Sequence, residues 1–398
     1  MIFLSSDIHI KLDEQRYKYY FIFASEKVSN GFAQLKKTSF QVITYRIVLF
    51  LASMFLLRII LLPFSLIYGG ILTVRNWLFD SRLKPVTKMN AKVISVGNLS
   101  VGGTGKTPHV EYLVQFLKEK FNTAILLRGY GRKTKGFYTV AADSAVSQVG
   151  DEALNYAKTF EGKVQVAVCE KRVEGAQELL QRFPETEVLV LDDAFQHRYI
   201  HRDCNILLTE YNRPYFKDFV LPTGNLREFS CGKKRADIVI VTKSPKDLTE
   251  TQKQAFEKRL KVKNDTPVFF SEIAYGDLVS LQGSVTIQSA PKIVLVTGIG
   301  NSTPLLNHLQ EQSEVIHVEF RDHYDFALTD IEKIHKIFDN FVGQDKVIVT
   351  TEKDAMRLLN SDFNNSLQSY PWYWQSITVK IDKENEFLNK VYGSIISD

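Results

Sequence analysis

Apolar positions follow three rhythms along this chain. Between residues 47 and 74 they are nearly continuous: 47–57 is apolar apart from Ser53, Arg58 interrupts, and 59–74 resumes around Pro63, Ser65 and the Gly69-Gly70 pair. Between 92 and 242, short β-branched runs alternate with longer amphipathic stretches, which predicts strands at 93–96, 124–127, 164–168, 188–191, 206–208 and 238–241. Such alternation implies βα units and a mainly parallel sheet covered on both faces. Beyond Ser244-Pro245 a lysine-rich helix at 248–263 leads to further strands at 268–271, 293–296, 315–318 and 347–349, a second, smaller α/β lobe. The expected organisation is an unassigned extension at 1–42, a membrane-anchor segment at 43–80, a phosphate-loop NTPase-type domain at 81–245 and a C-terminal lobe at 246–398 that closes over it.

No uncharged run in the first apolar segment reaches the roughly 20 residues of a comfortable transmembrane helix, so a tilted or interfacial anchor competes with a span. A buried core helix is the third alternative. Arg46, Arg58, Arg75, Arg82, Lys84 and Lys88 flank or interrupt it, and the later cluster would hold the following domain on the cytoplasmic side. Met54 is a candidate start, which would make the preceding residues dispensable.

A chain of 398 residues accommodates two lobes with real cores, and a net charge of +5 is too mild to indicate nucleic acid as partner. An anionic membrane surface suits it if the excess is local. Cys169, Cys204 and Cys231 stand far apart, outside metal-ligand spacing, so each is expected to be a small buried residue in a reducing cytoplasmic setting.

Chemistry concentrates after the first parallel strand. Val96-Gly97-Asn98-Leu99-Ser100-Val101-Gly102-Gly103-Thr104-Gly105-Lys106-Thr107-Pro108 joins that strand to a helix-period pattern, Val110, Leu113, Val114 and Leu117. It reads as a phosphate-binding loop: glycines let backbone N–H groups surround phosphate oxygens, the helix start adds positive potential, and Lys106 adds a full charge. Thr107 offers a hydroxyl to Mg²⁺. The pattern G-x-x-x-x-G-K-[ST] departs at its first position, which is Ser100; Gly102 and Gly103 are expected to supply the flexibility.

Strand 188–191 ends in Asp192-Asp193, the expected partner of such a loop for holding Mg²⁺ and its waters, with Gln196 and His197 at the same rim. Gln196 and His197 would touch substrate or order the acids; for His197 a purely structural role is the alternative. Asp151 and Glu152, after Gly150, either cap a helix or serve metal and base roles. Phe320-Arg321-Asp322-His323-Tyr324-Asp325 would bring a proton-handling group from the second lobe. Arg227, in Gly224-Asn225-Leu226-Arg227-Glu228, could fork onto a phosphate. Thr351-Glu352-Lys353-Asp354 reads first as a capped helix start, Thr297-Gly298-Ile299-Gly300-Asn301 as a tight strand-to-helix turn, and Pro371-Trp372-Tyr373-Trp374 as lobe packing. Val241-Thr242-Lys243-Ser244 lacks the acid of a guanine-reading T-K-x-D, which favours ATP.

In order and spacing these motifs, with Arg128-Gly129-Tyr130-Gly131, resemble the tetraacyldisaccharide 4′-kinases of lipid A biosynthesis from about Met54 to the end. That family tolerates a hydroxyl residue at the Ser100 position; Ala194 stands where it usually has glycine. The resemblance implies transfer of the ATP γ-phosphoryl group to the 4′-hydroxyl of an acylated glucosamine disaccharide 1-phosphate, giving lipid IVA, at the cytoplasmic face of the inner membrane. It also implies Asp151 as the base, His323 as its partner across the cleft, and Lys106 on the β- and γ-phosphates. Thr107 and Glu152 would be Mg²⁺ ligands, supported by Asp192 and Asp193. Competing readings are a membrane-tethered NTPase switch, which would not need the His323 loop, and an ATP-dependent carboxylate-activating ligase, which would not need the anchor.

Overall fold

The structure, a computed structural model, describes residues 33–283, 285–322, 324–359 and 364–396, with side chains from residue 57 onward. Its frame is one mixed sheet built from β1 (Lys92–Asn98), β2 (Thr123–Leu127), β3 (Tyr138–Thr139), β4 (Gln165–Val168), β5 (Val188–Asp192), β6 (Cys204–Glu210) and β7 (Ile238–Thr242). It continues through β8 (Val268–Ser280), β9 (Thr286–Ile287), β10 (Lys292–Thr297), β11 (Glu314–Glu319), β12 (Lys346–Thr351) and β13 (Trp372–Ile381). The strand order is β11-β10-β12-β13-β8-β7-β6-β1-β5-β2-β4-β3, with β9 attached to β8.

Strands β2, β5, β6 and β7 are buried at every position because helices cover both faces, which is why they read as unbroken apolar runs. Helices Lys106–Leu117 and Asp151–Phe160 pack one face through Val110, Leu113, Leu154 and Tyr156, and helix Arg172–Arg182 packs the other through Ala176 and Leu179. The C-terminal helix Glu384–Ile396 returns to the first of these cores through Phe387, Val391 and Ile395.

Strand β8 is far longer than the run 268–271 suggested. Its first residues pair in parallel with β7 (Val239↔Val268), and from Ser271 to Ser280 it pairs antiparallel with β13. That second stretch has only short apolar runs, Ile273-Ala274-Tyr275 and Leu278-Val279, split by Gly276-Asp277; β13 supplies its hydrogen-bond partner. Pro371-Trp372-Tyr373-Trp374 accordingly opens a strand as well as packing a lobe: Trp372 is fully buried and its indole N–H donates to His335 Nε2 at 3.0 Å.

The first helix runs Ala33–Asp80, starting upstream of residue 43 and continuing through Pro63. Its part Leu57–Asp80 has mean hydropathy 1.9 and is long and apolar enough to cross a membrane. The buried-core alternative fails, because Ile60, Ile67 and Ile71 are 63–64 % exposed. One narrow stripe docks on the body. Ser65 Oγ donates to Thr223 Oγ1 at 2.7 Å, a Cβ on Gly69 would lie 2.4 Å from the Phe229 ring, and Asn76 Nδ2 donates to Glu228 Oε2 at 2.7 Å.

The expectation for the cysteines holds for Cys169 and Cys204 and fails for Cys231, which is exposed. Cys231 lies on the 3₁₀ helix Ser230–Arg235, whose sequence SCGKKR offers no apolar face to bury it.

Candidate active site

Strands β1 and β5 end side by side, and their carboxyl ends carry the phosphate loop and the paired acids. Loop carbonyls are tied to surrounding elements: Thr242 Oγ1 donates to Thr104 O at 2.9 Å and Lys243 Nζ to Gly103 O at 2.7 Å. Asn98 Nδ2 donates to Thr104 Oγ1 at 2.6 Å, and Arg227 N donates to Leu99 O at 2.7 Å. Helix Lys106–Leu117 starts at Gly105, whose φ of 82° is open to glycine, and no side chain caps its first N–H groups. An uncapped helix start facing a glycine loop is an anion site. Ser100 explains itself: it bridges Leu226 in extended pairing, while the left-handed positions fall on Gly102 and Gly105.

Asp193 follows β5 with φ 47°, a conformation non-glycine residues rarely hold. Its carboxylate accepts from Arg227 Nη1 at 2.8 Å and lies 3.9 Å from Lys106 Nζ. Burial alone would raise its pKa, but Lys106 and Arg227 outweigh burial and hold it below the usual range. Asp192 next to it has the opposite fate. Burial first, then the charges of Glu152 and Asp193, push it up to about 7. Tyr156 donates to Asp192 Oδ2 at 3.1 Å, and Oδ1 is buried with no hydrogen-bond partner among the described residues. Thr107 also faces Tyr156, so the loop hydroxyl and the Asp192 carboxylate flank one phenol. An unpartnered buried carboxylate oxygen beside a threonine hydroxyl and Glu152 is a set of hard oxygen donors suited to Mg²⁺. No group of three or more His, Cys, Asp or Glu side chains forms a metal cage among the described residues.

Asp151 opens helix Asp151–Phe160 behind Gly150, whose φ is 90° and where a Cβ would meet Tyr130 O at 2.8 Å. Its Oδ1 accepts from Glu152 N at 2.9 Å, the local role of a helix start. Its Oδ2 accepts from Arg357 Nη2, on helix Glu352–Leu359 of the second lobe. Beside this pair Lys353 Nζ lies 3.7 Å from Glu152. Asp354 N donates to Thr351 Oγ1 at 3.2 Å, so the Thr351-Glu352-Lys353-Asp354 motif does begin a capped helix, and that helix docks on the one carrying Asp151. His323 lies outside the described residues.

The other predicted residues are placed as follows. Gln196 turns inward, its Nε2 donating to Asn98 O at 2.9 Å and Glu228 Oε1 at 3.1 Å, while Arg75 of the first helix donates to its carbonyl. His197 is lowered to about 4 by burial and then by Arg172, so it is neutral at physiological pH. The turn 297–301 contributes Gly298 N, which donates to Asp354 Oδ2 at 2.8 Å.

Sequence reasoning missed Glu111, Asn155, Tyr156 and Arg357. Asn155 Nδ2 donates to Glu111 Oε1 at 2.7 Å and its side chain also faces Glu352. Glu111 is raised by burial, then by the charges of Glu352 and Asp192. Glu352 is raised to about 7, chiefly by burial. These residues carry no local signal, since each matters only once helices from distant segments meet.

A cavity of about 240 Å³ is lined by Phe270, Ser271 and Ile381 together with the charged Lys246, Lys253, Glu272, Lys380 and Asp382, and shares no lining residue with the loop. His109 links the two. Gly105 O can only accept, so Nδ1 carries the proton and donates at 2.6 Å, leaving Nε2 to accept from Ser271 Oγ at 2.7 Å.

A family model described as tetraacyldisaccharide-1-P 4'-kinase matches residues 57–395. A tetraacyldisaccharide 4'-kinase of Cytophaga hutchinsonii is 42 % identical over 354 residues, covering 86 % of this chain and 97 % of its own. One from Bacteroides thetaiotaomicron is 41 % identical, with 75 % and 83 % covered. A solved structure, the "apo" form of LpxK from Aquifex aeolicus in complex with ATP, superposes with a TM-score of 0.67 at 30 % identity, covering 85 % of this chain and 99 % of that one.

The acid cluster sets a pH dependence. Glu352 and Asp192 hold protons in the fold that they release as free side chains, so they stabilise it below the usual carboxylate range and this contribution is lost as pH rises through about 7. The thermal midpoint without nucleotide is expected to fall between about pH 5 and pH 7 and to level off above that, and Glu111→Gln is expected to flatten the fall, as read by scanning calorimetry.

Proposed function

This chain belongs to the tetraacyldisaccharide-1-phosphate 4′-kinase family, and from that premise we propose how its residues carry the reaction. It is an ATP-dependent kinase of lipid A biosynthesis that phosphorylates the 4′-hydroxyl of a tetraacyldisaccharide 1-phosphate, giving lipid IVA. The observation that carries the assignment of roles is the meeting, at the ends of β1 and β5, of an uncapped helix start, Lys106, and a buried acid with an unpaired oxygen.

Residues 100–107 cradle the phosphates, with the glycine N–H groups of the loop and the helix start donating and Lys106 steadying the β- and γ-phosphates. In the structure Lys106 leans on Asp193, which is itself held by Arg227; phosphate binding offers the lysine a stronger partner. Thr107, Glu152, Asp192 and Asp193 would hold Mg²⁺, which when bound neutralises charge on the transferring phosphates. The cavity beside His109 takes the adenine. Asp151 accepts the proton of the 4′-hydroxyl, with His323 its partner from the second lobe, and closure of that lobe's outer part, strands β10 to β12 and their helices, over the site excludes water. Arg227 and His197 line the acceptor side, His197 as a neutral imidazole, while Gln196, turned inward onto Asn98 O and Glu228, orders that rim.

The lipid acceptor calls for a membrane contact. Ser65 and Asn76 both bond the body of the protein, and they are eleven residues, roughly 16 Å, apart along the helix. A helix fastened along that length lies against the protein, so residues 57–80 sit in the bilayer interface with Ile60, Ile67 and Ile71 toward the acyl chains, at the cytoplasmic face of the inner membrane.

Transfer from γ-labelled ATP to a tetraacyl disaccharide 1-phosphate in mixed micelles tests the roles. Wild type should label the lipid, and Asp151→Asn should do so on the order of 10²-fold more slowly. A wild-type rate from Asp151→Asn would remove it as the base, and ATP hydrolysis without labelled lipid would favour the switch. For the anchor, flotation with anionic vesicles should carry wild type upward and leave an Ile60→Asn, Ile67→Asn, Ile71→Asn triple variant below; co-flotation of both would contradict the interfacial placement.

A further inference from the structure

The pair Arg357–Asp151 has no part in the roles assigned so far, yet it joins segments 206 residues apart with both side chains under a tenth exposed. Arg357 makes a fork. Nη2 donates to Asp151 Oδ2 at 2.5 Å and Nη1 donates to Asp354 Oδ1 at 3.0 Å. Asp354 is itself immovable: it is fully buried, and its Oδ2 accepts from Gly298 N at 2.8 Å and from Thr351 Oγ1 at 2.7 Å. The backbone after β10 thus fixes Asp354, Asp354 fixes one edge of the guanidinium, and the other edge meets Asp151.

We infer that Arg357 is a positioning residue for the phosphoryl transfer, orienting the Asp151 carboxylate from the opposite lobe. The inference rests on the reading of Asp151 as the base. With Oδ1 held by the Glu152 N–H and Oδ2 by Arg357, the carboxylate plane is set, and with it the direction from which the base meets the acceptor hydroxyl. A guanidinium suits this task because its planar fork fixes two carboxylates at once and never loses its charge. The neighbouring Lys353–Glu152 contact is longer, 3.7 Å, and a point charge fixes no plane. Because the fork spans the lobes, Asp151 is oriented only when the helix Glu352–Leu359 is seated against helix Asp151–Phe160. Closure and readiness of the base are therefore one event.

The test is a double-mutant cycle on the full chain, with kcat and the KM for ATP measured for Arg357→Met and Arg357→Lys, each alone and with Asp151→Asn. Arg357→Met should lower kcat roughly 10–100-fold while the KM for ATP stays within about threefold. Arg357→Lys, which keeps the charge and loses the fork, should fall between the two. Added to Asp151→Asn, Arg357→Met should cost less than about twofold, because its effect passes through that carboxylate. An equal fractional loss in both backgrounds, or a loss confined to KM, would overturn the inference and leave a merely structural pair. If Arg357→Met fails to fold, as read from its melting curve, Arg357→Lys is judged by the same cycle. Asp151→Asn at the wild-type rate would take the base reading down together with this one. A strong loss in Asp151→Asn beside an undiminished Arg357→Met would overturn this inference alone.

Discussion

Everything at this site is arranged around a carboxylate that the fold buries without adequate compensation. Asp192 ends a fully buried strand, receives one phenolic hydrogen bond, and keeps its other oxygen unpaired. Burying such a group costs free energy that water would otherwise relieve. Asp193, one residue further, escapes the same penalty because its left-handed backbone turns it toward Lys106 and Arg227. One acid is satisfied by protein cations, and in the proposed reading the other takes up a cation that arrives with the substrate. The pairing divides the labour of a phosphoryl-transfer site, in which positioning and charge neutralisation do most of the catalysis.

The second lobe extends this economy of charge. Its helix Glu352–Leu359 brings Glu352 toward the acids of the first lobe and Lys353 and Arg357 as their partners. The sheet explains how the placement is achieved. β8 belongs to both halves, parallel to β7 at one end and antiparallel to β13 along the rest, so no loose linker carries the second lobe. The C-terminal helix then returns to the first core, closing the chain on itself. Movement between the halves must bend this shared strand, and the contacts between helices Asp151–Phe160 and Glu352–Leu359 are where such bending would be felt.

Much of this was legible in the sequence. Buried parallel strands must be apolar throughout, so β1, β2 and β5 to β7 announced themselves, and a glycine-rich loop before GKT with an Asp-Asp strand end needs no tertiary information. The role of Asp151 came from motif order and family likeness; its residue type alone left a helix cap equally open, and the structure gives the side chain a cap-like contact and a cross-lobe partner together. The extension of β8, the strand β13, and Glu111, Asn155, Tyr156 and Arg357 were not legible. Each depends on contacts between segments far apart in the chain, and the Gly276-Asp277 pair that splits Ile273-Ala274-Tyr275 from Leu278-Val279 reads locally as a turn rather than as the middle of one strand. Ser100 shows the reverse case, a departure from pattern that loses its weight once the backbone places the left-handed turns at Gly102 and Gly105.

The claim at the centre is that Asp192 waits, partly protonated, for a metal-bound nucleotide. Titration calorimetry of Mg²⁺-ADP at pH 7, repeated in buffers of different ionisation enthalpy, measures the protons exchanged on binding. Net proton release that disappears in Asp192→Asn is the predicted result. Binding with no proton release, or with release that Asp192→Asn leaves intact, would contradict it.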